Sequence, residues 1–504
     1  MVGHDPEKAI VPLFKEEVKA DPPLGSQEGF DLESETTSIL DKQHAKRVLR
    51  KIDWHLMPLL NVLYILCFLD RSNIGNAKLM HFMEDLGLTQ STYSWSLSIF
   101  YIGYILFDIP SNLILKRWRP ARWLGIIIIC WGILCTCMAA NSNKGSLLSL
   151  RFLLGAVEAG FFPGVVYFLT LWYDRSELGT RISIFYSASS IAGAFGGLLA
   201  YGIDHMDGAG NLASWRWLFI LEGLPSIIVG VIVYIFLADR PATARWLTPE
   251  ERIHATQRLE QHSVAEESTQ QINRKEIREI FTDYRAYLHS LAHLGIVVPT
   301  YSMSLLLPTV IHNLGYGTLT TQLLTIPPFA ASFFFCIAIA LHSDRFQVRS
   351  YHVIFSAIVA ILGFILISFL ENTVAKYLML LLVVAGVNGS PSVHLAWAAN
   401  NTLGKTKSAV INALVLTVGN AGGIISGQMY RNSEAPKYVP SHMGNVACTA
   451  VIVVVVVILR LLYARENRKI DRFLQAAEAD PSLWNDVKAV PPTLLLNKNF
   501  RYEL

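Results

Sequence analysis

Four polar side chains interrupt the end of the first long apolar run in the chain. Asp70, Arg71, Asn73 and Asn76 lie within FLDRSNIGNAKL, residues 68 to 79, at the end of WHLMPLLNVLYILCFL. A charged side chain near the middle of a bilayer costs roughly 2.5 to 3.5 kcal/mol, so such residues usually face a water-filled cavity. The segment therefore predicts an ion or substrate site. The alternative is an acid and a base that end the helix at the membrane surface.

A second pair of charges, Arg151 and Glu158, lies seven residues apart in another apolar run. On a helix of 3.6 residues per turn, this spacing places both side chains on one face. Removal from water favours the protonated form of a carboxyl group, and a nearby arginine favours its ionised form. We therefore predict that Glu158 takes up a coupled proton. The alternative is a structural salt bridge to a neighbouring helix.

Further polar and aromatic candidates lie in other apolar runs. Tyr101, Tyr104 and Asp108 recur at i, i+3 and i+7 and share one helix face, where the tyrosines could line a site or simply pack. In the second half of the chain we select Trp397 and Asn420 as substrate contacts, since a buried amide needs a partner in hydrocarbon. Bonds between neighbouring helices are the alternative role for such side chains.

Composition indicates a membrane protein that is not an enzyme. The chain has 504 residues, of which 52% are hydrophobic and 16% are charged, and the formal net charge is +3. This small charge gives no argument for nucleic-acid binding. The six cysteines show no metal-ligand spacing, and no HExxH, GxSxG or complete phosphate-binding loop is present. We therefore expect no catalytic residue, no metal and no cofactor.

Apolar runs of bilayer-spanning length recur about twelve times, in two groups of six. The predicted fold is an all-α polytopic membrane protein with two six-helix halves. The expected segments are an N-terminal tail that is disordered over residues 1–40, two halves, a linker with a short helix capped at Thr248, and a C-terminal tail. Their predicted bounds are 1–50, 51–237, 238–285, 286–463 and 464–504.

Basic residues alternate between the loops and predict orientation. KRWRPARW, residues 116 to 123, and SDRFQVRS, residues 343 to 350, occupy corresponding loops of the two halves. An excess of Lys and Arg marks cytoplasmic loops, so both termini are predicted to be cytoplasmic. A 6+6 repeat whose halves rock about a central site favours a transporter. We assign the gate between the halves to four residues, namely Asp108, Arg122, Asp344 and Arg345.

The chain resembles the anion:cation symporter family of the major facilitator superfamily, and within it the fungal allantoate and nicotinate permease branch. The matching stretches include FLDRSNIGNAKL, SIFYIGYILFDIPSNLILKRWRPARW, RFLLGAVEAGFFPGVVYFLTLWY and WAANNTLGKTKSAVINALVLTVGNAGGII. The resemblance implies that Asp70, Arg71 and Glu158 couple protons to transport. It also implies a place in the plasma membrane, where most members of the branch are found. The branch usually has glutamate where this chain has Asp108, which puts the role of that acid in question.

These observations lead to one functional expectation. We expect a monomeric, proton-coupled transporter that imports a small organic carboxylate, of the nicotinate or allantoate class, by alternating access. The partners are that anion, protons and the lipid bilayer. Proton coupling is assigned to Asp70, Glu158 and Arg151, and substrate binding to Arg71, Asn73, Tyr101, Tyr104, Trp397 and Asn420. The alternatives are a nutrient-sensing receptor of the same fold and an uncoupled facilitator or exporter of organic anions.

Overall fold

The structure is a computed structural model that describes residues 25–264, 282–346, 348–402, 405–480, 490–491 and 501–504. Within these residues, twelve helices are long and apolar enough to cross a membrane, which confirms the predicted fold class. We number these spans 1 to 12. They are Ala45–Ala77, Gln90–Leu115, Pro120–Met138, Lys144–Thr170, Glu177–Asp204, Ser214–Phe236, Tyr284–His312, Thr318–Phe346, Arg349–Phe369, Thr373–Asn400, Val410–Gly427 and Val439–Ala479.

The chain divides into two units, Met1–Asp53 and Trp54–Leu504, and the second unit contains the candidate site. The helix that includes span 1 is Gly25–Ala77. The expectation of disorder is therefore wrong for residues 25–40, which are helical. Helix propagation costs little once a helix has nucleated, so a polar segment can remain helical without an apolar face. The rest of the predicted disordered segment lies outside the described residues.

Three spans consist of two consecutive helices each, and two of the breaks coincide with prolines. Proline lacks the backbone N–H of a helical hydrogen bond, so helices often restart there. The pairs are Lys144–Glu158 with Phe161–Thr170, Thr318–Leu324 with Ile326–Phe346, and Thr373–Gly389 with Pro391–Asn400. Glu158 is thus the last residue of a helix in the middle of span 4.

The remaining helices connect or extend the spans. Thr248 and Glu251 form the predicted capping box of the linker helix, with Thr248 N–H donating to Glu251 Oε2 at 2.8 Å. The other α-helices are Phe82–Asp85, Gln90–Arg117, Pro120–Met138, Arg175–Asp204, Ser214–Phe236, Pro249–Val264, Tyr284–His312, Arg349–Phe369, Lys405–Gly427 and Val439–Ala479, and short 3-10 helices lie at Ala209–Asn211, Pro241–Thr243 and Asn432–Glu434.

The two six-helix halves meet along spans 2 and 11 and along spans 5 and 8. Close approach depends on glycine, since a Cβ atom on Gly427 would meet Ser98 at 2.7 Å. Ser98 Oγ also donates to the Ile424 carbonyl oxygen at 2.9 Å. These contacts lie near the end of the bundle where residues 78–89 join spans 1 and 2, which we call the distal face. The opposite end, where residues 116–119 join spans 2 and 3, is the proximal face.

Candidate functional site

A cavity lies between the two halves, and side chains from both halves line it. The N-terminal half contributes Arg71, Tyr104 and Glu158, and the C-terminal half contributes His293, Tyr301 and Asn420, among mostly apolar neighbours. Of the described residues that line this cavity, Arg71 is the one with a fixed positive charge. The cavity therefore combines one cation, one acid, aromatic rings and neutral hydrogen-bonding groups.

Arg71 and Glu158 form the buried ion pair of this cavity. The Arg71 Nε–H donates to Glu158 Oε1 at 2.9 Å, and a second guanidinium nitrogen donates to the same oxygen. The thiol of Cys67 also donates to Glu158 Oε1, at 3.1 Å. The side chains of Arg71 and Glu158 are 13% and 2% exposed. Charge-assisted hydrogen bonds of this kind are stronger than neutral ones, so Arg71 and Glu158 hold each other in place within the cavity.

Arg71 also joins the two halves through hydrogen bonds. Its Nη1–H donates to the Tyr301 hydroxyl at 3.2 Å, and that hydroxyl donates to Asn420 Oδ1 at 3.1 Å. The guanidinium carbon lies 5.3 Å from the ring centroids of both Phe100 and Tyr104. The cation is thus anchored by one half and reached by polar groups of the other.

Histidines form a buried row behind the cavity in the C-terminal half. The ring of His293, which lines the cavity, stacks on His394 with centroids 5.4 Å apart. His394 Nε2 lies 3.3 Å from His289 Nδ1, and His289 Nε2 lies 2.9 Å from the Tyr463 hydroxyl. His293 Nδ1 is buried and has no hydrogen-bond partner within the described part of the chain.

Two predicted site residues of span 1 lie in a different place from Arg71. Asp70 Oδ2 accepts a hydrogen bond from Ser226 Oγ at 2.8 Å, and Asp70 Oδ1 accepts one from the Cys135 thiol at 3.2 Å. Asn73 Nδ2 also contacts Cys135 Sγ, at 3.6 Å. Neither Asp70 nor Asn73 lines the cavity. Successive helical residues point about 100° apart, so the acid and the base of one dipeptide can contact different neighbouring helices.

The predicted partner of Glu158, Arg151, has other contacts. Its Nε–H donates to the Ser96 carbonyl oxygen at 3.3 Å, and its guanidinium lies 5.2 Å from the centroid of Phe100. Seven residues of helix separate Arg151 and Glu158 by about 10 Å along the axis, which is too far for direct contact. In this state the described ion-pair partner of Glu158 is therefore Arg71.

The other predicted substrate contacts divide between the cavity and the protein interior. Tyr104 and Asn420 line the cavity. Tyr101 stacks on Tyr301 with ring centroids 4.8 Å apart, so it lies behind a lining residue. Trp397 is fully buried elsewhere, and its Nε1–H donates to the Glu503 carbonyl oxygen at 2.9 Å. Trp397 therefore supports the docked chain end and does not line the cavity.

The four predicted gating residues have different surroundings. Asp108 makes a contact between the halves, because the Thr417 hydroxyl of span 11 donates to Asp108 Oδ2 at 3.3 Å. Arg122 lies 6.0 Å from the ring centroid of Tyr234 within the N-terminal half. Asp344 pairs with Arg349 at 3.0 Å, and Arg345 is exposed. In this state, Asp108 is the member of this group whose described contacts reach the other half.

Sequence reasoning did not select Tyr301 or His293, although both line the cavity. They lie in span 7, in the stretch HLGIVVPTYSM, where no Asp, Glu, Lys or Arg marks the helix as functional. An isolated tyrosine or histidine in an apolar run usually packs in the core. The available signal was the concentration of polar side chains in the apolar run of span 7, namely His289, Ser290, His293, Thr300, Tyr301 and Ser302.

Comparisons with known proteins agree with this architecture. The profile of the Major Facilitator Superfamily matches residues 60–427. The chain is 35% identical over 480 residues to "MFS transporter prlL" of Fungal sp. (strain NRRL 50135), which covers 92% of this chain and 95% of that protein. It is 32% identical over 445 residues to "Major facilitator-type transporter hxnP" of Emericella nidulans, with 87% and 90% covered.

Two solved structures share the fold at low sequence identity. The crystal structure of a D-xylose-proton symporter has a TM-score of 0.63 and 14% identity, over 81% of this chain and 97% of that one. An inward-facing, occupied bacterial homologue of the human lysosomal transporter Spinster has a TM-score of 0.61 and 14% identity, over 81% and 96%. At this identity the likeness concerns the fold alone.

Proposed function

Since this chain belongs to the Major Facilitator Superfamily and is a multi-pass membrane transporter, we propose that it imports a small organic carboxylate together with a proton. The observation that carries the proposal is the Arg71–Glu158 ion pair in the cavity between the halves. It places a cation that can bind an anion next to an acid that can bind a proton.

Competition for Arg71 supplies the coupling. While Glu158 is ionised, it occupies Arg71 through two guanidinium nitrogens. A proton on Glu158 removes that charge and frees the guanidinium, whose planar fork can hold a substrate carboxylate through two parallel hydrogen bonds. The proton and the anion therefore favour the same state, and each raises the affinity of the protein for the other.

The roles of Asp70 and Arg151 are secondary in this scheme. Both are buried beside the ion pair but are held by groups outside the cavity, namely Ser226 and Cys135 for Asp70 and the Ser96 carbonyl for Arg151. We propose that they adjust the field around Glu158 and that Glu158 carries the transported proton.

The lining of the cavity supports a planar substrate with one carboxylate. Arg71 lies beside the rings of Phe100, Tyr104 and Tyr301, which can pack on an aromatic ring. Polar groups of His293 and Asn420 lie on the opposite side and can bond to a ring nitrogen or oxygen. Together with the resemblance to the allantoate and nicotinate branch, these features favour an aromatic monocarboxylate such as nicotinate.

Alternating access follows from the way the halves meet. Contacts such as Ser98 to Ile424 join the halves near the distal face. We propose that the distal face is extracellular, that both termini are cytoplasmic in the plasma membrane, and that this state is closed to the outside. Asp108 and Thr417 then form one of the contacts that break and reform as the halves rock.

The test is uptake of labelled nicotinate by cells that lack their own permeases and express this chain. Pantothenate, biotin and allantoate serve as unlabelled competitors, and a protonophore removes the proton gradient. We expect saturable uptake that collapses with the protonophore. Saturable uptake that does not respond to the protonophore would indicate a facilitator or exchanger. Loss of preloaded substrate from the cells, without uptake, would indicate an exporter. Specific binding without flux would indicate a receptor.

Glu158→Gln tests the coupling itself. The neutral amide mimics the protonated acid, so we expect the variant to exchange labelled for unlabelled substrate across the membrane while net uptake no longer responds to the protonophore. Glu371→Gln, at an acid whose side chain is 79% exposed, is the matched control and should behave as wild type. Protonophore-sensitive uptake of wild-type size in Glu158→Gln would refute the assignment.

A further inference from the structure

Glu222, in the middle of span 6, is a buried acid that the transport scheme does not use. It lies in WRWLFILEGLPS and is 2% exposed. Both of its carboxyl oxygens are inaccessible to solvent and have no hydrogen-bond partner within the described part of the chain. An ionised carboxylate in that position would be strongly disfavoured, since a buried charge requires a cation or hydrogen-bond donors.

Ser226, one helical turn after Glu222, connects this acid to Asp70 of span 1, because Ser226 Oγ donates to the Glu222 carbonyl oxygen at 3.3 Å and to Asp70 Oδ2 at 2.8 Å. Asn73 belongs to the same cluster, since its Nδ2 contacts Cys135 Sγ at 3.6 Å and that thiol donates to Asp70. Asp70 differs from Glu222 in that it accepts hydrogen bonds from Ser226 and Cys135, which stabilise its ionised form. Asn73 resembles Glu222, because its amide oxygen Oδ1 is also buried and has no described donor. Two unsatisfied groups thus lie beside one satisfied carboxylate.

One proton on Glu222 removes the unfavourable charge. The neutral acid leaves no second negative charge near Asp70, at a position where neither Glu222 carboxyl oxygen has a described donor. Two neighbouring carboxyl groups in a site without a cation rarely ionise together, and the one with fewer donors holds the proton. The donors on Asp70 therefore direct the proton to Glu222.

We propose that Glu222 is a proton-binding site of the folded transporter, in which the neutral acid lies beside ionised Asp70 and keeps its proton throughout the transport cycle. We expect Glu222 to keep this proton because the surrounding cluster lies within one half of the transporter. The cluster consists of Asp70, Asn73, Cys135, Glu222 and Ser226, from spans 1, 3 and 6 of one half. None of these residues lines the cavity, so rocking of the halves leaves their surroundings unchanged.

This proton has a consequence for transport that rests on the proposed function. In spans 1 and 4, Asp70 and Glu158 balance Arg71 and Arg151, and the sum stays zero when Glu158 accepts a proton and a singly charged anion binds Arg71. A proton that stays on Glu222 does not enter this exchange. The expected stoichiometry is therefore one proton with one monovalent anion, without net charge and without a contribution from Glu222.

Infrared spectroscopy of the purified, full-length protein at pH 7.5 tests the proton site independently of transport. The spectrum of wild type minus Glu222→Gln should show the loss of one carboxylic-acid carbonyl band. The spectrum of wild type minus Glu158→Gln should instead show the loss of carboxylate bands, as expected for an acid in an ion pair with Arg71. Loss of carboxylate bands on the Glu222→Gln substitution would overturn the proposal.

Asn73→Leu provides a second measurement that retains Glu222 and does not depend on the folding of Glu222→Gln. Asn73 belongs to the cluster through Cys135, so loss of its amide should change the frequency of the carboxylic-acid band. An unshifted band would show that the neutral acid does not lie in this cluster, and would overturn the arrangement proposed for this site.

Proteoliposomes then test whether the proton is retained. Proton and substrate fluxes, measured together, should give one proton per anion in wild type and in Glu222→Gln, and a potassium diffusion potential should leave the initial rate unchanged within about twofold. A lower proton count in Glu222→Gln would show that this proton is transported and would overturn its retention. Wild type without proton flux would refute the proposed function and leave the infrared result standing.

Discussion

The two six-helix halves share a fold but bury different side chains. The N-terminal half buries carboxyl and guanidinium groups, whereas the buried polar groups described in the C-terminal half are hydroxyls, amides and imidazoles. In the N-terminal half the charged residues less than 9% exposed are Asp70, Asp108, Arg151, Glu158 and Glu222. The counterparts at the cavity in the C-terminal half are His293, Thr300, Tyr301 and Asn420.

This difference separates two tasks that a coupled carrier must perform. Groups that gain or lose charge can drive a cycle, and neutral donors and acceptors can select a ligand by shape and hydrogen bonding. The two tasks meet at hydrogen bonds between the halves. Arg71 of the N-terminal half donates to Tyr301 of the C-terminal half, and Tyr301 donates to Asn420. We therefore expect substitutions in the N-terminal half to change coupling, and substitutions in the C-terminal half to change affinity.

Arg71→Lys should have the largest effect. Lysine keeps the charge but lacks the planar fork that can hold a substrate carboxylate through two parallel hydrogen bonds. Loss of about two charge-assisted hydrogen bonds, each contributing about 1.5 kcal/mol or more, predicts at least a ~100-fold fall in uptake efficiency. The measurement is the initial uptake rate against substrate concentration in cells with equal surface expression.

Arg431→Lys, at an exposed position outside the spans, is the control for this substitution and should leave uptake unchanged. If Arg71→Lys kept uptake within about threefold of wild type, the guanidinium fork would not be the anion site. The division of tasks between the halves would then need a different cation.

Tyr301→Phe should have a smaller effect of a different kind. The variant keeps the ring but removes the hydroxyl between Arg71 and Asn420, and a neutral hydrogen bond contributes about 0.5 to 1.5 kcal/mol. We expect the concentration for half-maximal uptake to rise about 2- to 12-fold, while sensitivity to the protonophore is retained. Tyr377→Phe removes a hydroxyl that donates to the Leu324 carbonyl oxygen at 3.0 Å and is the matched control. Uncoupled uptake in Tyr301→Phe would contradict the separation of coupling from recognition.

The spans could be predicted from the sequence because their length and apolar character are local properties. All twelve predicted runs have a counterpart in the structure, and the echo between residues 116–123 and 343–350 corresponds to equivalent loops of the two halves. Within the site, Arg71, Glu158, Tyr104 and Asn420 reach one cavity, as their residue types suggested. A charge or an amide in a long apolar run requires a partner, and that requirement can be read without coordinates.

The rest depended on how each helix is rotated in the bundle. Asp70 and Arg71 are adjacent in sequence, yet they contact different spans. The seven-residue spacing placed Arg151 and Glu158 on one face but did not identify Arg71, 87 positions from Glu158, as the ion-pair partner. Trp397 has a suitable residue type for a ring-binding site, but the docked residue Glu503 takes its N–H group. Such pairings arise from tertiary contacts that local periodicity does not encode.

The smallest expected effect concerns the pH dependence of stability at two lysines outside the spans, one in each half. Burial lowers the pKa of Lys78, at the distal face of the N-terminal half, to about 8, and the charge of Glu84 partly opposes this shift. The folded chain therefore binds this proton less tightly than the unfolded chain, and the free energy of unfolding should rise as the pH increases from about 8 towards the ordinary lysine pKa of about 10.5.

Lys78→Met should raise the melting temperature of the purified protein at pH 7.5 and lose this advantage by pH 10.5. Lys437→Met, at an exposed lysine of the C-terminal half paired with Glu371 at 3.0 Å, should show no such trend. An equal pH dependence in both variants would show that burial of cations does not distinguish the two halves at this face.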